Sequence, residues 1–362
     1  MRVSLACLLS ACSTALLGTV ATAALAAQDM DPALAKQTEQ AVASGLKFLR
    51  GTQAEDGSWS HSVGITALAL RGYLESPAKH DPADQAFVDR GIKFILSKVT
   101  PDGAITESDE NRNYNTVVSI TMLQATGDKQ YAKVIADAQK FLAKAQIDEG
   151  EGYKPDQDWY GGIGYSDDNR PDLSNQYMAL EALRKTSFDP NDPVWKKALV
   201  FVNRSQNRSE SNDQKWAGND GGFTYMPGMN PYGGTGSYGG MTHAGLLCLL
   251  FAGVDKSDPR VQAAHDWIRS NYTLDENPGV QGKHGLFYYY NAFSKSMYAY
   301  GEPVVTDTKG TKHNWRDDLA KKLVSLQDAD GSWINKDSSR WWENNKDLVT
   351  SWSVIALDQA LR

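Results

Sequence analysis

The stretch FLRGTQAEDGSW at residues 48–59 returns near the other end of the chain as LVSLQDADGSW at residues 323–333. Both copies place a glutamine four residues before a glycine and six residues before a tryptophan, as in Gln53, Gly57 and Trp59. A string this rich in unusual residues does not recur by chance, so the two copies indicate a protein built from internal repeats.

Four weaker copies lie between these two. Each begins with a pair of apolar residues about one helical turn before the glutamine position and closes on a glycine followed by an apolar residue. They are Phe94-Ile95 with Gly103 and Ile105, Phe141-Leu142 with Gln146, Gly161 and Ile163, Phe201-Val202 with Gln206, Gly221 and Phe223, and Trp267-Ile268 with Gly285 and Phe287. The first residues of the pairs are at positions 48, 94, 141, 201 and 267, which are 46, 47, 60 and 66 residues apart. One unit therefore has about 45 residues plus insertions.

Each unit carries two helical patterns. The segment before the glutamine, such as VIADAQKFLAKAQ, is amphipathic, whereas the segment after the aromatic, such as MTHAGLLCLLFAG, is apolar on every side. Helices with one wet face belong outside and helices apolar all round belong inside, and no unit alternates like a strand. The sequence therefore predicts an all-α fold in which about six outer–inner hairpins close into a double-layered α/α toroid. An open solenoid is the alternative, but its end hairpins would expose apolar faces to water.

Composition restricts the partners. The chain has 362 residues, 41% of them hydrophobic, and a net charge of -7, which argues against nucleic acid as a partner. We expect a monomer without a cofactor or metal. Cys248 is the one cysteine beyond residue 26, so no intramolecular disulfide is expected there.

Residues 1–26 have the pattern of an export signal. Arg2 precedes an apolar run that closes on Ala24-Leu25-Ala26, and polar residues without a basic flank follow, so a membrane anchor is the weaker interpretation. Cys12 ends a lipobox-like Leu-Ser-Ala-Cys string, but the apolar segment before it is too short, so a lipoprotein is a minor alternative. We predict a signal peptide at 1–26, a single toroid domain at 27–362 without a membrane span, and a periplasmic or extracellular location.

The glutamine, glycine and tryptophan at 327, 331 and 333, like those at 53, 57 and 59, resemble the repeats of squalene–hopene and oxidosqualene cyclases and the related repeats of protein prenyltransferase β-subunits. Gln146 and Gln206 match in part, while Val99 and Tyr272 stand where glutamine is expected. The resemblance covers roughly residues 34–361 and implies the toroid fold more firmly than any activity. In such a ring we expect each glutamine amide to bond unpaired carbonyls at the end of its outer helix, with the aromatic stacked over the joint.

If the outer helices end at the glutamines, the loops that follow them and the starts of the inner helices share one end of the ring. Inner-helix N-termini would give that end a positive field that suits a carboxylate or phosphate. The unusual residues concentrate there, which predicts an aromatic central cavity as the ligand site. The residues that we expect to bind the ligand are Tyr165, Arg170, Tyr238, His284, Tyr288, Arg340, Trp341, Trp342 and Glu343.

The resemblance to class II cyclases implies isoprenoid cyclisation started by an aspartic acid, with aromatic faces stabilising carbocations. The Asp-x-Asp-Asp motif of those enzymes is absent, and the cluster at residues 167–172 offers Asp168 and Asp172 as candidate acids. Neighbouring Arg170 would lower their pKa, which disfavours a proton donor, and Asp172 would alternatively cap the inner helix. An exported location also counts against authentic squalene cyclisation.

Two other chemistries deserve comparison. Prenyltransferases hold zinc through Asp, Cys and His, but His243 and Cys248 are five residues apart and poorly aligned on one helix face. Secreted polysaccharide lyases and hydrolases also use α/α barrels, and in that reading Arg340 and Glu343 would bind sugar while His243 or His284 served as acid or base. We therefore expect either an isoprenoid-like ligand, with Asp168, Asp172 and His243 as catalytic candidates, or an oligosaccharide that is processed or only bound.

Overall fold

The computed structural model describes residues 30–77, 84–166 and 170–362. In those residues twelve α-helices alternate between an outer and an inner layer, as the repeat predicts. The outer helices are α1 (Pro32–Thr52), α3 (Gln85–Leu96), α5 (Ala132–Lys144), α7 (Val194–Arg204), α9 (Pro259–Ser270) and α11 (Trp315–Leu326). The inner helices are α2 (Val63–Glu75), α4 (Arg112–Ala125), α6 (Leu173–Lys185), α8 (Gly239–Phe251), α10 (Leu286–Tyr300) and α12 (Lys346–Leu361).

The inner helices form a closed ring. Each packs against the next in chain order, and α12 packs against α2, while α1 covers α12 from outside. The inner helices are buried on every face, as along α2 from Val63 to Tyr73, whereas the outer helices bury one stripe. The α/α toroid prediction is thereby confirmed, and the open solenoid is wrong. The predicted signal peptide, including Cys12, lies outside the described residues.

The glutamines act differently from our expectation. The Gln53 amide nitrogen donates to the carbonyls of Gly57 (3.0 Å) in its own loop and Phe87 (2.9 Å) in the next outer helix, α3. Gln327 does the same to Gly331 (2.9 Å) and to Ala41 in α1 (2.9 Å), so the last unit is fastened to the first. The amide therefore joins consecutive units rather than satisfying the end of its own helix.

The joint between α9 and α11 departs from the pattern. Tyr272 stands in place of the glutamine, and its hydroxyl donates to Asp318 of α11 (3.0 Å) while its ring stacks on His313. A short antiparallel hairpin, β1 (Val304–Thr306) and β2 (Lys312–Asn314), precedes α11. Gly285, taken from the sequence as the glycine of this unit, instead forms the N-cap of α10. Among the described residues no helix is long and apolar enough to cross a membrane.

Candidate functional site

A cavity of about 640 Å³ lies on the axis of the ring, at the end where the inner helices begin. All six inner helices line it from their first two turns, together with the loops that precede them. The lining residues are Ser60, His61, Ser62, Ile65, Glu107, Glu110, Asn111, Tyr114, Asn115, Tyr165, Ser174, Met178, Tyr225, Tyr232, Tyr238, Met241, Asn277, Gly285, Tyr288, Trp341, Trp342, Leu348 and Trp352.

Nine of these side chains are aromatic, and six of them contact one another in three pairs. Ring centroids are 5.8 Å apart for Tyr114 and Tyr165, 5.3 Å for Tyr232 and Tyr238, and 6.0 Å for Tyr288 and Trp352. These separations are those of favourable edge-to-face or tilted ring pairs, so each pair stabilises its part of the wall. A second flank, formed by residues 60–62 with Glu107, Glu110, Asn111 and Asn115, is polar and carries the carboxylates of Glu107 and Glu110.

Strained backbone marks the mouth of the cavity. Trp341 and Trp342 have φ values of +61° and +62°, and Ser60 and His61 on the facing loop have +52° and +51°. These four are among only five non-glycine residues with positive φ in the part of the chain that the structure describes. A left-handed conformation costs about 1–2 kcal/mol at a non-glycine residue, so its concentration at the mouth suggests a functional constraint.

Arg340 holds the two loops of the mouth together. Its guanidinium donates to the carbonyl of Pro231 (2.9 Å) and lies over the rings of Tyr232 and Trp341 at 4.7 and 5.2 Å. The indole nitrogen of Trp341 also donates to the Tyr232 hydroxyl (2.9 Å). Trp342 lies at the mouth of the cavity and is 67% exposed, so its ring is available to a ligand that enters.

The N-termini of the inner helices already have acceptors, contrary to our expectation of open helix ends. Glu343 accepts from the backbone N–H groups of Leu286 (3.0 Å) and Tyr288 (2.8 Å) at the start of α10. Glu107 likewise accepts from Val63 (3.2 Å) at the start of α2. Such contacts use the positive end of the helix that would otherwise attract an anion.

The same arrangement continues around the ring. Backbone carbonyls of the following unit accept from the first residues of α4, α6 and α8, and the side chain of Asn345 caps α12 from within its own unit. The carbonyl acceptors are those of Tyr165, Tyr225 and Pro278. Five of the six loops at the mouth therefore both line the cavity and cap a neighbouring helix, whereas the loop at residues 60–62 caps its own helix, α2.

Asp172 is a buried carboxyl behind the aromatic wall. It accepts from the backbone N–H (2.9 Å) and the side-chain amide (2.7 Å) of Asn175, which makes it the N-cap of α6, and it contacts the Tyr225 hydroxyl. Burial raises its pKa from 3.8 to about 6, and the hydrogen bonds limit that rise. Tyr225 itself lines the cavity, so it lies between Asp172 and the interior space.

Beneath the cavity lies a buried network of ion pairs. Tyr288 packs edge-on against Tyr177 (6.5 Å), and the Lys295 ammonium lies over the Tyr177 ring (5.6 Å). Lys295 pairs with Glu181 (3.1 Å), which also pairs with Arg71 (2.6 Å). These buried cations belong to an internal ion network, and none of them lines the cavity.

The remaining candidates occupy different places. His243 is buried between α8 and α10, where it bonds the Ser296 hydroxyl (2.6 Å), and burial lowers its pKa to about 3. His284 bonds Ser338 (2.6 Å) and stacks on Tyr232 behind the mouth. Arg170 is exposed and does not line the cavity, and Asp168 lies outside the described residues. Within the described chain no group of three His, Cys, Asp or Glu residues is placed to hold a metal.

The structure thus places Tyr165, Tyr238, Tyr288, Trp341 and Trp342 on the cavity wall. Arg340, Glu343 and His284 support the mouth without lining the cavity. Asp172 is separated from the cavity by the side chain of Tyr225. Sequence reasoning missed several lining residues, which a search for bulky side chains around the start of each inner helix would have found. They are Met178, Tyr225 and Trp352.

Comparison with known sequences gives a limited match. No protein-family profile matches the chain. A stretch of 137 residues, 32% of this chain, is 31% identical to the alpha-onocerin synthase LCD of Lycopodium clavatum. It corresponds to 18% of that protein, so the chain spans less than a fifth of the relative's length.

Solved structures match over nearly the whole chain. The protein geranylgeranyltransferase-I of Candida albicans, complexed with GGPP, has a TM-score of 0.56 at 14% identity, covering 87% of this chain and 90% of that one. The type II terpene cyclase MstE of Scytonema, with geranylgeranyl dihydroxybenzoate as substrate, has 0.54 at 12%, covering 91% and 98%. An unsaturated glucuronyl hydrolase specific for heparin has 0.58 at 13%, covering 90% and 96%. The chain therefore has the α/α toroid fold of terpene cyclases and protein prenyltransferases, which carbohydrate-active enzymes also use.

Proposed function

We propose that this toroid binds a largely apolar isoprenoid in its central cavity. The observation that carries the proposal is the lining, in which nine aromatic rings join Ile65, Met178, Met241 and Leu348. Among the described residues the lining has no Lys or Arg, and the inner-helix N-termini are capped by the protein itself. A phosphate or carboxylate would lose its hydration there without gaining a cation, whereas a hydrocarbon chain would bury its surface against the rings.

The similarities support the same ligand class. The matching stretch belongs to an onocerin synthase, and two of the structural neighbours are a terpene cyclase with a geranylgeranyl substrate and a prenyltransferase with GGPP. We assign Tyr165, Tyr238, Tyr288, Trp341 and Trp342 to ligand binding.

We further propose Asp172 as the acid that starts a cyclisation. A raised pKa keeps part of its population protonated near neutral pH, and Tyr225 connects it with the cavity. The Tyr225 hydroxyl would relay this proton, giving its own hydrogen to an alkene carbon of the ligand and taking the proton of Asp172. The aromatic faces would stabilise the resulting carbocation, and loss of a proton from an adjacent carbon would end the reaction. The product would be an isomer of the substrate, so no cofactor is required. Asp168 remains the second candidate from the sequence.

Binding is tested by titrating the purified protein with geranylgeraniol and squalene while following tryptophan fluorescence, because Trp341, Trp342 and Trp352 line the cavity. We expect saturable binding that Met178→Trp weakens, since the larger side chain takes up part of the space. Tyr298→Ala, on an exposed part of α10, is the matched control and should bind like the wild type. Equal binding by Met178→Trp and the wild type would place the ligand elsewhere.

Catalysis is tested separately by Asp172→Asn. We expect this variant to bind the isoprenoid with unchanged affinity and to form no cyclised product by gas chromatography with mass detection. Product formation at the wild-type rate would remove Asp172 from the mechanism while leaving the binding proposal intact.

A neutral oligosaccharide is the second candidate ligand. The polar flank, with Glu107, Asn111 and Asn115, and the exposed ring of Trp342 are features that sugars recognise through hydrogen bonds and stacking. An acidic glycan fits less well, since the described lining has no basic side chain apart from His61, which pairs with Asp56. Titration with cellohexaose and a heparin oligosaccharide under the same conditions separates the two. Tighter binding of either sugar than of geranylgeraniol would favour the carbohydrate function.

We also propose that residues 1–26 direct export, as their pattern predicts. Expression of the full chain with N-terminal sequencing of the product should give a mature protein that begins at Ala27 in the periplasm or medium. Retention of the intact N-terminus inside the cell would contradict this proposal.

A further inference from the structure

The two flanks of the cavity differ in charge as well as in polarity. The aromatic flank presents ring faces, which carry partial negative charge, and the polar flank presents Glu107 and Glu110. Among the described lining residues the one group that could become cationic is the imidazole of His61. The interior therefore has a negative electrostatic character that an uncharged hydrocarbon would leave unused.

The cations near the mouth are already engaged. Arg340 is held by the Pro231 carbonyl and two aromatic rings, Arg112 pairs with Asp102 and Asp109, and His61 pairs with Asp56. Glu110, in contrast, is exposed at the mouth and has no ion pair among the described residues. Its charge is left to solvent or to a ligand.

Glu107 adds to this character from a fixed position. Its carboxylate is held by the Val63 N–H (3.2 Å) and the Asn115 amide (2.8 Å), so it cannot turn away from the cavity without losing both contacts. The positive ends of the other inner helices are likewise occupied by protein acceptors. A cation entering the mouth would thus meet one fixed carboxylate, one free carboxylate and the faces of Trp341 and Trp342.

We infer that the ligand is an amphiphile whose polar end carries positive charge, and that this ammonium group lies at the mouth between Glu107, Glu110 and the two tryptophans. The inference deepens the proposed isoprenoid function and rests on it for the apolar part of the ligand. Aromatic faces and carboxylates together form the kind of site that recognises alkylammonium groups. The apolar chain would then extend inward along the tyrosine wall towards Tyr288.

Three probes with the same C15 chain test this inference. Farnesylamine is cationic at pH 7.5, farnesol is neutral, and farnesoic acid is anionic. The ratios of their dissociation constants therefore measure how the charge of the polar end contributes to affinity. We expect farnesylamine to bind at least tenfold more tightly than farnesoic acid, with farnesol between them. Added NaCl should reduce the ratio, because the charges at the mouth are exposed to screening.

Two variants locate the effect. Glu110→Gln should lower the amine-to-acid preference at least threefold, while Glu39→Gln, an equal charge change on the outer surface of α1, should leave it unchanged. Glu107→Gln supplies a second test within the same flank. Tighter binding of farnesoic acid, or an unaltered preference in both Glu107→Gln and Glu110→Gln, would overturn the inference.

The outcomes also separate the inference from the function on which it rests. If farnesol binds and the amine gains nothing, the isoprenoid function stands and the cationic end is wrong. If the amine binds and farnesol does not, the cationic end supplies the affinity, so the inference stands and the proposal that the aromatic lining binds an isoprenoid chain fails. If none of the three probes binds, both proposals are wrong.

Discussion

The backbone N–H of Tyr288, on the cavity wall, donates a 2.8 Å hydrogen bond to the carboxylate of Glu343, which directly follows the two strained tryptophans of the mouth. Glu343 is fully buried and also accepts from the side chain of Asn335 (2.6 Å). One carboxylate therefore fixes the start of α10 and the loop that carries Trp341 and Trp342. Wall and mouth cannot move independently while this contact holds.

This carboxylate makes stability depend on pH. Burial raises the pKa of Glu343 from 4.5 to about 7, so the folded protein retains a proton that the unfolded chain releases. The resulting stabilisation is complete below pH 4.5 and is lost as the pH rises through 7. Glu343→Gln cannot titrate and does not have this loss. Between pH 4.5 and 8, the difference in free energy of unfolding between the variant and the wild type should therefore shift in favour of the variant by on the order of 3 kcal/mol.

Urea unfolding followed by circular dichroism at several pH values measures this difference. Asp172 and Asp358, whose pKa values burial raises to about 6 and about 7, act in the same direction, and His243 acts in the opposite one below pH 6.5. The comparison of wild type with Glu343→Gln cancels all three. Parallel stability curves for the two proteins would show that Glu343 does not titrate in this range.

The glutamine joints should differ in strength according to burial. Gln206 is fully buried, and its amide bonds the carbonyls of Gly221 (2.9 Å) and Arg260 (2.9 Å). Gln206→Ala would leave both carbonyls unpaired away from water and should lower the free energy of unfolding by about 2–4 kcal/mol. Gln53 makes the equivalent bonds but is half-buried, so water can replace its amide and Gln53→Ala should cost about 1 kcal/mol. Thermal and urea unfolding of the pair give the comparison, and equal losses would argue against burial as the cause.

These joints explain how much of the fold the sequence could predict. Their glutamine, glycine and aromatic residues recur at regular spacing, and the two helical patterns are local, so the layers, the order of the units and the closed ring follow from the chain. The joint at Tyr272 could not be foreseen, because its hydroxyl bonds the side chain of Asp318, whereas the glutamine amides bond backbone carbonyls. A side-chain partner found in one unit leaves no periodic signal.

The candidate site was predictable in location and less so in detail. Tyr288 and Trp341 were found because bulky residues cluster in loops at one end of the ring. The sequence predicts Glu343 as a ligand contact, yet the backbone N–H groups that donate to it are 55 and 57 residues away and are visible only in three dimensions. His243 lies in a helix that is apolar on all sides, so its sequence carries no information on which face turns towards the cavity.

The glycine of the joint is irreplaceable for steric reasons. Gly57 has φ +89°, and a Cβ there would lie 2.4 Å from the carbonyl oxygen of Arg90 in α3. Gly57→Ala combines a disfavoured conformation with a clash against rigid helix backbone, so we expect a loss of about 2–4 kcal/mol. Gly51→Ala, within α1 and with open space around it, should instead gain about 0.5–1 kcal/mol. Melting curves of the two variants check the contrast, and a shift of the same sign in both would contradict it.

The strained backbone at Trp342 should lower stability, while the ring that it positions contributes to binding. Trp342 is 67% exposed at φ +62°, so Trp342→Gly removes little buried surface and relieves a conformation that costs about 1–2 kcal/mol. We expect its free energy of unfolding to stay level or rise by up to about 1 kcal/mol, because the greater freedom of glycine in the unfolded chain offsets part of the relief. Its affinity for farnesylamine should nevertheless fall several-fold, since a ring face at the mouth is lost. Tyr298→Gly, also exposed but helical within α10, is the control and should lose about 0.5 kcal/mol or more with no change in affinity. If Trp342→Gly is destabilised as much as Tyr298→Gly, the left-handed backbone at Trp342 stores no strain. If Trp342→Gly binds farnesylamine like the wild type, the ring is not part of the site.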